Sequence, residues 1–451
     1  MPTVALSNLG CKVNQYETER LAESFRAQGF SIVDFKEVAD VYLINSCSVT
    51  ADADKKSRHT ARRAARQNPE ARVILTGCFA QAALDEDIQV EGASLLVSNS
   101  EKMRTVTHVL NAFPDLIRFS SSPASYDPLR PAVFPTEILS GFIPLSDLTL
   151  SPAVISRTRA TLKIQDGCQY FCSFCSIPFT RNVMASRPFD DVIAEARTLV
   201  LRGAKEIVVT GVCVGAYGPE TGSGGKRLAD VLRAVAAVDG LERVRLSSVQ
   251  PVEIPDDVIE AMCDQPKIAP HLHLSAQSGD STVLRSMNRP YDTDFFEHMV
   301  RKLRTVIPAI GLTTDLIVGF PGETDELFEN TIAFARRIGF ARTHVFRYSP
   351  RKRTAGELLV DDVAPEVKER RHRQLTSVCV ESQRRFAETL ISSDVDVLAE
   401  SSGAKAGWLS GYTGNYIRTQ FTAPKSSRGK IVRIRVNDIT KDGDAFGEVV
   451  D

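Results

Sequence analysis

Three of the nine cysteines stand at Cys168, Cys172 and Cys175, a C-x3-C-x2-C spacing directly after the strand-like run Thr161 to Gln165. Three thiolates is an informative number. Proteins that only store electrons usually supply four cysteines per iron-sulfur cluster. Three leave one iron of a cubane open for an outside ligand, by the logic that gives catalytic zinc sites an empty position. A zinc site is the competing reading, and so is chance proximity. Zinc asks for a second nearby Cys or His pair, but His271, His273 and His344 each fall on other strand-like runs. The motif also occupies the first loop at the C-terminal side of a β/α barrel, where such folds build active sites.

A second trio, Cys11, Cys47 and Cys78, has no local spacing. What the three share is position, because each directly follows a strand-like run: Val4 to Leu6, Val41 to Ile44, and Arg72 to Leu75. In a parallel sheet all strand C-termini lie along one edge, where ligands bind, so three distant turns can converge on one metal site. Gly10 and Gly77 precede two of these cysteines and would let the backbone turn tightly. Separate buried thiols are the plainer alternative. Cys213, Cys263 and Cys379 show no such partnership and read as packing residues.

The elements that must position these groups follow from periodicity. Helical patterns run from Tyr16 to Gln28 and from Asp54 to Gln67 between the first three strands, giving a βαβαβ parallel-sheet domain over 1–120. Serines and prolines over 121–152 suit an extended linker. A second alternation over 153–390 has strand candidates at Thr161 to Gln165, Glu206 to Thr210, Val244 to Ser247, His271 to Leu274, Thr313 to Val318 and Thr343 to Tyr348, and ends in a charged helix from about Ala364 to Leu390. Six β/α units are too few for an eight-fold barrel, so an open, partial (β/α)6 barrel is expected. Residues 391–451 hold short runs (Val395 to Leu398, Ile417 to Phe421, Ile431 to Val436, Phe446 to Val449) broken by glycines, which suits a small all-β barrel. The fold class is thus α/β with an appended β barrel.

With 451 residues the chain can build two or three cores. The formal net charge of -1 gives no whole-molecule attraction for polyanions, so nucleic-acid contact requires a local patch. The start of the chain lacks a basic and apolar leader, and no stretch reaches the roughly 18 apolar residues of a spanning helix. A cytoplasmic protein is expected, with neither membrane nor DNA as partner. In a reducing compartment cysteines act as ligands or packing residues rather than disulfides. There is no nucleophilic triad signature. Gly211 to Gly215 lacks the lysine and third glycine of a phosphate loop.

The residues resemble a known family, the radical S-adenosylmethionine methylthiotransferases, across essentially the whole chain. The resemblance rests on Gly10-Cys11 with Asn14 and Glu17, Asn45-Ser46-Cys47 with Thr50, Lys55 to Arg58, and Thr76-Gly77-Cys78 with Ala80-Gln81. In the barrel it rests on Leu246 to Ser248, Gln277 to Gly279, Met287 to Arg289, Asp315 to Thr324 and Tyr348 to Arg351. Asn182, Gln250 and Lys352-Arg353 depart from the family's usual residues without removing a ligand. Within the family the chain is similar to the branch that modifies threonylcarbamoyladenosine in tRNA. Isopentenyladenosine in tRNA and an aspartate of a ribosomal protein are the alternative substrates, and a nonenzymatic iron-sulfur RNA-binding redox sensor is the alternative of another class.

The resemblance implies two 4Fe-4S clusters, on Cys168, Cys172 and Cys175 and on Cys11, Cys47 and Cys78, together with S-adenosylmethionine. Reductive cleavage of S-adenosylmethionine at the first cluster would give a deoxyadenosyl radical that attacks the substrate, and the bond replaced would be the C–H at carbon 2 of the adenine at tRNA position 37. The second cluster would hold the sulfur that becomes the methylthio group. Aromatic C–H bonds resist acid-base chemistry, so the hard step belongs to the cofactors. Phe174, Thr210, Gly211, Ser248, Gln277 and Asp315, near strand ends, are candidate S-adenosylmethionine contacts; turn capping and a structural hydrogen-bond network are the plainer alternatives. A small electron donor such as flavodoxin or ferredoxin is implied as a partner.

Two basic patches could hold an anticodon stem-loop. Ser401 to Asn437 carries seven Lys or Arg residues, among them Arg418, Lys430, Arg433 and Arg435, and no acid, with Trp408, Tyr412, Tyr416 and Phe421 interleaved. Basic side chains for phosphates and aromatic faces for bases are the pattern of an RNA-binding barrel, and the domain resembles TRAM. A solvated strand face with core aromatics is the alternative. The second patch is Lys55, Arg58, Arg62 and Arg66, which fall on one helical face beside the Cys47 loop.

Overall fold

The computed structural model describes residues 1–119, 158–403, 405 and 407–450. The expected linker at 121–152 lies outside them. The described residues divide into two compact units. The first holds residues 1–119 with Gln165–Gln169 and Cys175–Arg187; the second holds residues 158–164, Tyr170–Phe174 and 188–450.

In the first unit, β1 (Thr3–Asn8), β2 (Ser31–Val33), β3 (Val41–Ser46), β4 (Arg72–Gly77) and β5 (Leu95–Leu96) form a parallel sheet in the order β2-β1-β3-β4-β5. The central strand β3 is buried at every position. Its side chains alternate between two cores, as a period of two requires. Val41 and Leu43 face Leu21 and Phe25 of α1 (Lys12–Ala27), while Tyr42 and Ile44 face Ala61 and Ala64 of α2 (Ala51–Gln67) and Phe79 and Ala83 of α3 (Cys78–Asp85). Helices therefore cover both faces, leaving the strand ends as the open edge. Strand order reverses between β1 and β3, and ligands bind at such a switch point, outside the strand carboxyl ends.

The second unit takes up β6 (Arg159–Asp166), which runs on into the first unit, where β7 (Ala185–Ser186) pairs antiparallel with its end. β8 (Glu206–Gly211) pairs parallel with β9 (Arg243–Leu246), and β10 (Ser248–Val249), β11 (His271–Leu274), β12 (Gly311–Val318) and β13 (Arg342–Arg347) form a parallel sheet in chain order. A bridge between Val244 and Ile268 joins the two sets. β13 is an edge, so the barrel is open as expected. One strand face (Leu162, Ile207, Val209, Val244, Leu272, Leu312, Leu316) packs on the outer helices. The other is polar, with Lys163, Glu206, Arg243, Arg245, His271 and Thr313 buried.

After the helix Pro365–Glu388, β14 (Asp394–Ser402), β15 (Trp408–Thr413), β16 (Arg418–Thr422), β17 (Ile431–Ile439) and β18 (Ala445–Val449) close a barrel in the order β14-β15-β16-β18-β17 around Val397, Leu409, Phe421 and Ile434. β15 escapes the sequence reading because Gly411 interrupts its pattern. A Cβ there would meet the Leu398 carbonyl oxygen at 1.7 Å, so the glycine is required by the neighbouring strand. Among the described residues no helix is long and apolar enough to cross a membrane.

Candidate metal centre

Cys11, Cys47 and Cys78 follow β1, β3 and β4 at one sheet edge, flanking the switch point. The turns are held close by side chains of the same segments. Asn14 donates its amide to the carbonyls of Leu9 and Ser46, both at 2.9 Å, and Asn45 donates to the Asn14 carbonyl at 2.9 Å. The Ser46 hydroxyl donates to the Thr76 carbonyl and accepts the Ala80 N–H at 3.1 Å. Two glycines make the approach possible. At Gly10 (φ +102°) a Cβ would lie 2.7 Å from Cys47 Sγ, and at Gly77 (φ +97°) one would lie 2.3 Å from the Ser46 carbonyl oxygen.

The thiols act on one another. Burial pushes the Cys47 thiol up to about 11, and charge on Cys78 and Cys11 raises it further. Crowding by protein also raises the Cys11 thiol, with Arg181 opposing and Cys78 adding. Cys11 nonetheless keeps an open outer surface, so it is crowded without being sealed off. Asn99 holds its amide 3.8 Å from Cys78 Sγ. Among the described residues no three or more His, Cys, Asp or Glu side chains are gathered as a ready metal-ion site. What the fold supplies is three interacting thiols around glycine turns, a soft donor set that suits an iron-sulfur cluster.

The other trio lies on the loop after β6. Gly167 (φ +78°) has no room for a Cβ, which would stand 2.0 Å from the Val183 carbonyl oxygen, and the Cys168 N–H donates to the Arg181 carbonyl at 3.3 Å. In the second unit, Cys172 is gripped by the segment Met287 to Arg289. Arg289 Nη1 donates to Cys172 Sγ at 3.1 Å, Asn288 donates to the carbonyls of Tyr170 and Phe171, and the Ser173 N–H donates to the Met287 carbonyl. Arg289 is itself fixed by the Tyr291 hydroxyl at 2.6 Å and the Ser275 carbonyl at 3.3 Å. Burial pushes the Tyr291 phenol up to about 12, which keeps it a proton donor to Ser275. Sequence reasoning saw Met287 to Arg289 only as a signature; its role shows in these contacts.

The candidate cofactor contacts divide. Thr210 and Gly211 end β8, and Ser248 is exposed on β10. Gln277 takes the left-handed conformation (φ +69°), its N–H donating to the Asp315 carbonyl and its own carbonyl accepting from Ile317. Asp315 meets His273 Nε2 at 3.3 Å, and His273 in turn meets the Thr313 hydroxyl. Phe174 packs against Val283, Met287, Ile317, Phe320 and Tyr348.

The packing role expected of the three remaining cysteines fits two of them. Cys379 is buried and Cys213 is buried with its thiol donating to Glu253 at 2.7 Å, but Cys263 is exposed on the helix Asp256–Asp264 and packs nothing.

Lys55, Arg58, Arg62 and Arg66 are all exposed on α2. Lys55 is 3.8 Å from Asp52, Arg62 pairs with Glu91 at 2.8 Å, and Arg58 lies over the Phe79 ring. In the C-terminal barrel the basic run meets acids from outside its own window: Arg418 pairs with Asp444, and Arg433 and Arg435 with Asp394. Lys430 is exposed. The interleaved aromatics are largely committed to the fold. Phe421 is core, Trp408 meets Phe446 edge-on, and Tyr416 stacks between Tyr412 and His271.

Comparison with known proteins agrees with this anatomy. The model of "Uncharacterized protein family UPF0004" matches residues 3–97, and that of the Radical SAM superfamily matches residues 162–335. The chain is 36% identical over 442 residues to the threonylcarbamoyladenosine tRNA methylthiotransferase MtaB of Bacillus subtilis, covering 97% of this chain and 94% of that protein. It is 34% identical to the protein of the same name from Thermotoga maritima, covering 98% and 96%. To a tRNA-2-methylthio-N(6)-dimethylallyladenosine synthase of Cereibacter sphaeroides it is 33% identical, covering 96% and 95%. Among solved structures, the radical S-adenosylmethionine methyltransferase TsrM of Kitasatospora setae shares the fold, with a TM-score of 0.54 at 14% identity, covering 81% of this chain and 79% of that one.

Proposed function

The chain belongs to the radical S-adenosylmethionine methylthiotransferase family, and from that membership we propose how its own residues carry out the reaction. It is a tRNA-modifying enzyme of the MtaB type, replacing hydrogen by a methylthio group at carbon 2 of threonylcarbamoyladenosine, tRNA position 37. The observation that carries this reading is the convergence of Cys11, Cys47 and Cys78 at one sheet edge, in a chain whose barrel loop carries a separate trio. A generic radical enzyme needs only the barrel trio.

When bound, two 4Fe-4S clusters and S-adenosylmethionine supply the one-electron chemistry, the sulfur site and the methyl group. Cys168, Cys172 and Cys175 would hold the first cluster, and Cys11, Cys47 and Cys78 the second. The residues themselves bind and orient. Thr210, Gly211, Ser248, Gln277 and Asp315 offer backbone and side-chain polar groups at or near barrel strand ends to S-adenosylmethionine, and Phe174 offers an apolar face. Arg289 donates to Cys172 Sγ. Hydrogen bonds to cluster sulfurs raise reduction potential, so Arg289→Leu is expected to make the midpoint of this cluster more negative at unchanged iron content, read by EPR-monitored redox titration.

Lys55, Arg58, Arg62 and Arg66 would contact phosphates of the anticodon stem-loop beside the second cluster, and Arg418, Lys430, Arg433 and Arg435 would contact RNA from the C-terminal barrel. Replacing the four α2 residues by glutamine should weaken tRNA binding and reduce the slope of log K against log salt by roughly 0.7–0.9 for each phosphate that is no longer neutralised. Fluorescence titration across a salt series checks this. A small flavodoxin- or ferredoxin-like protein would supply the electron.

The decisive experiment is anaerobic reconstitution, followed by incubation with S-adenosylmethionine, reductant and tRNA carrying threonylcarbamoyladenosine, with nucleosides read by mass spectrometry. The expected product is the 2-methylthio nucleoside. Its absence alongside activity on isopentenyladenosine tRNA would overturn the substrate assignment. Absence of deoxyadenosine on reduction would favour a redox-sensing RNA-binding protein instead.

A further inference from the structure

Arg181 occupies a place in the first unit that no step above uses. It closes the short helix Ile177–Thr180 that follows Cys175, and its carbonyl accepts the Cys168 N–H at 3.3 Å. Its guanidinium reaches to the helix that begins after Cys11. Nη1 and Nη2 each donate to one oxygen of Glu17 at 2.8 Å, a bidentate fork, and Nη2 also donates to Asn14 Oδ1 at 3.0 Å. Nη1 further donates to Asp166, two residues before Cys168, at 2.9 Å. Lys102 completes the set by donating to Glu17 at 2.7 Å.

All four charged side chains are at least nine-tenths buried, with Arg181 4% exposed and Glu17 1%. Two acids and two bases balance, so the group is neutral as a whole and each polar contact carries the low-dielectric strength that makes such networks rigid. Burial acts to lower the Arg181 pKa, but Glu17 and Asp166 override it and hold the guanidinium charged. The neighbouring peptide is tied in as well: the Thr180 carbonyl accepts from the Asn99 amide that also lies against Cys78 Sγ. Asn14, held by Arg181, is the residue that holds the Leu9 and Ser46 carbonyls before Cys11 and Cys47.

We infer that Arg181 is a positioning residue that sets the spacing between the Cys168 segment and the Cys11, Cys47 and Cys78 edge, so that radical formation and sulfur delivery meet at one substrate atom. The inference rests on the two-cluster reading above. A fork to Glu17 on one side and a carbonyl to Cys168 on the other make this one residue the strut. Lysine keeps the charge but cannot make the fork.

The test uses the full-length, reconstituted enzyme and its tRNA substrate. Arg181→Lys is expected to retain both clusters and to cleave S-adenosylmethionine at close to the wild-type rate. Methylthio product should fall by about tenfold or more, as for loss of an outer-shell contact at a metal site. Deoxyadenosine formed per methylthio nucleoside then rises by the same factor, and pulsed EPR of the doubly reduced protein shows a broadened distribution of cluster–cluster distances. An unchanged deoxyadenosine-to-product ratio with an unchanged distance distribution would overturn the inference. If Arg181→Lys loses iron, Glu17→Gln takes its place: it removes the charge that receives the fork while leaving Asn14 on the Leu9 and Ser46 carbonyls. A raised ratio with broadened distances then supports the inference, and no change in either overturns it. A wild-type enzyme that makes no methylthio product would instead defeat the functional reading, so the two failures are distinguishable.

Discussion

Replacing Cys47 by serine is expected to abolish methylthio transfer while leaving reductive cleavage of S-adenosylmethionine to deoxyadenosine in place. The residue follows β3, is buried, and faces the Gly10 turn with its Sγ where any Cβ would collide. Its peptide is anchored by the Ser57 hydroxyl, which donates to the Cys47 carbonyl at 3.2 Å. A serine oxygen is a harder, poorer ligand for iron than a thiolate, while the barrel trio is untouched. Iron should fall from about eight to about four atoms per chain, the content of one cubane. Iron analysis, deoxyadenosine by chromatography and nucleoside mass spectrometry on one preparation check all three parts. Loss of deoxyadenosine together with product would show that the dispersed trio is not a separate centre.

The second large effect is on stability. Glu206→Gln should destabilise the second unit by about 3–5 kcal/mol, the cost of breaking a buried ion pair from one side. At roughly 2–4 °C per kcal/mol, that lowers the first thermal transition by on the order of 10 °C. Glu206 is fully buried and accepts from Arg245 Nε at 2.8 Å and Arg243 Nη1 at 3.1 Å. The same two arginines hold the C-terminal barrel by its backbone, Arg243 at the Asp396 and Tyr412 carbonyls and Arg245 at those of Thr413 and Gly414. Without the carboxylate they are buried cations short of a partner, and the barrel's anchorage loosens. Calorimetry and limited proteolysis near residue 390 read the two consequences.

The pH dependence follows from the same group. Burial pushes the Glu206 carboxyl up, but Arg245 and then Arg243 override this and hold it below its ordinary value of 4.5. A depressed folded pKa means that its contribution to stability is fully present above 4.5 and is lost as pH falls through the lower, folded value. Wild type therefore loses stability on acidification below 4.5 in a limb that Glu206→Gln lacks, which a series of melts at descending pH would show.

Much of the fold was legible because its signals are local. Strand runs such as Val41 to Ile44 and helix patterns such as Asp54 to Gln67 are set by periodicity over a few turns, and the structure extends them by only a few residues. The short strands β2, β5, β7 and β10 were not, because two or three residues carry no period. The Cys168, Cys172, Cys175 trio was readable from spacing on one loop, and the basic face of α2 from i to i+4 arithmetic.

What the sequence determined by itself is therefore the local chemistry: a three-thiolate loop, cysteines at three strand ends, and basic runs. Tertiary structure alone decided which of these meet. Strand order brought Cys11, Cys47 and Cys78 to a shared edge, and folding set Arg181 on Glu17 across 164 positions. It turned Tyr416 and Phe421 inward, paired Arg433 and Arg435 with an acid outside their run, and left Cys263 exposed. The physical reason is one of range. Periodicity and spacing act over a few residues, whereas burial and ion pairing depend on which distant segments close together, and a linear pattern holds no record of that.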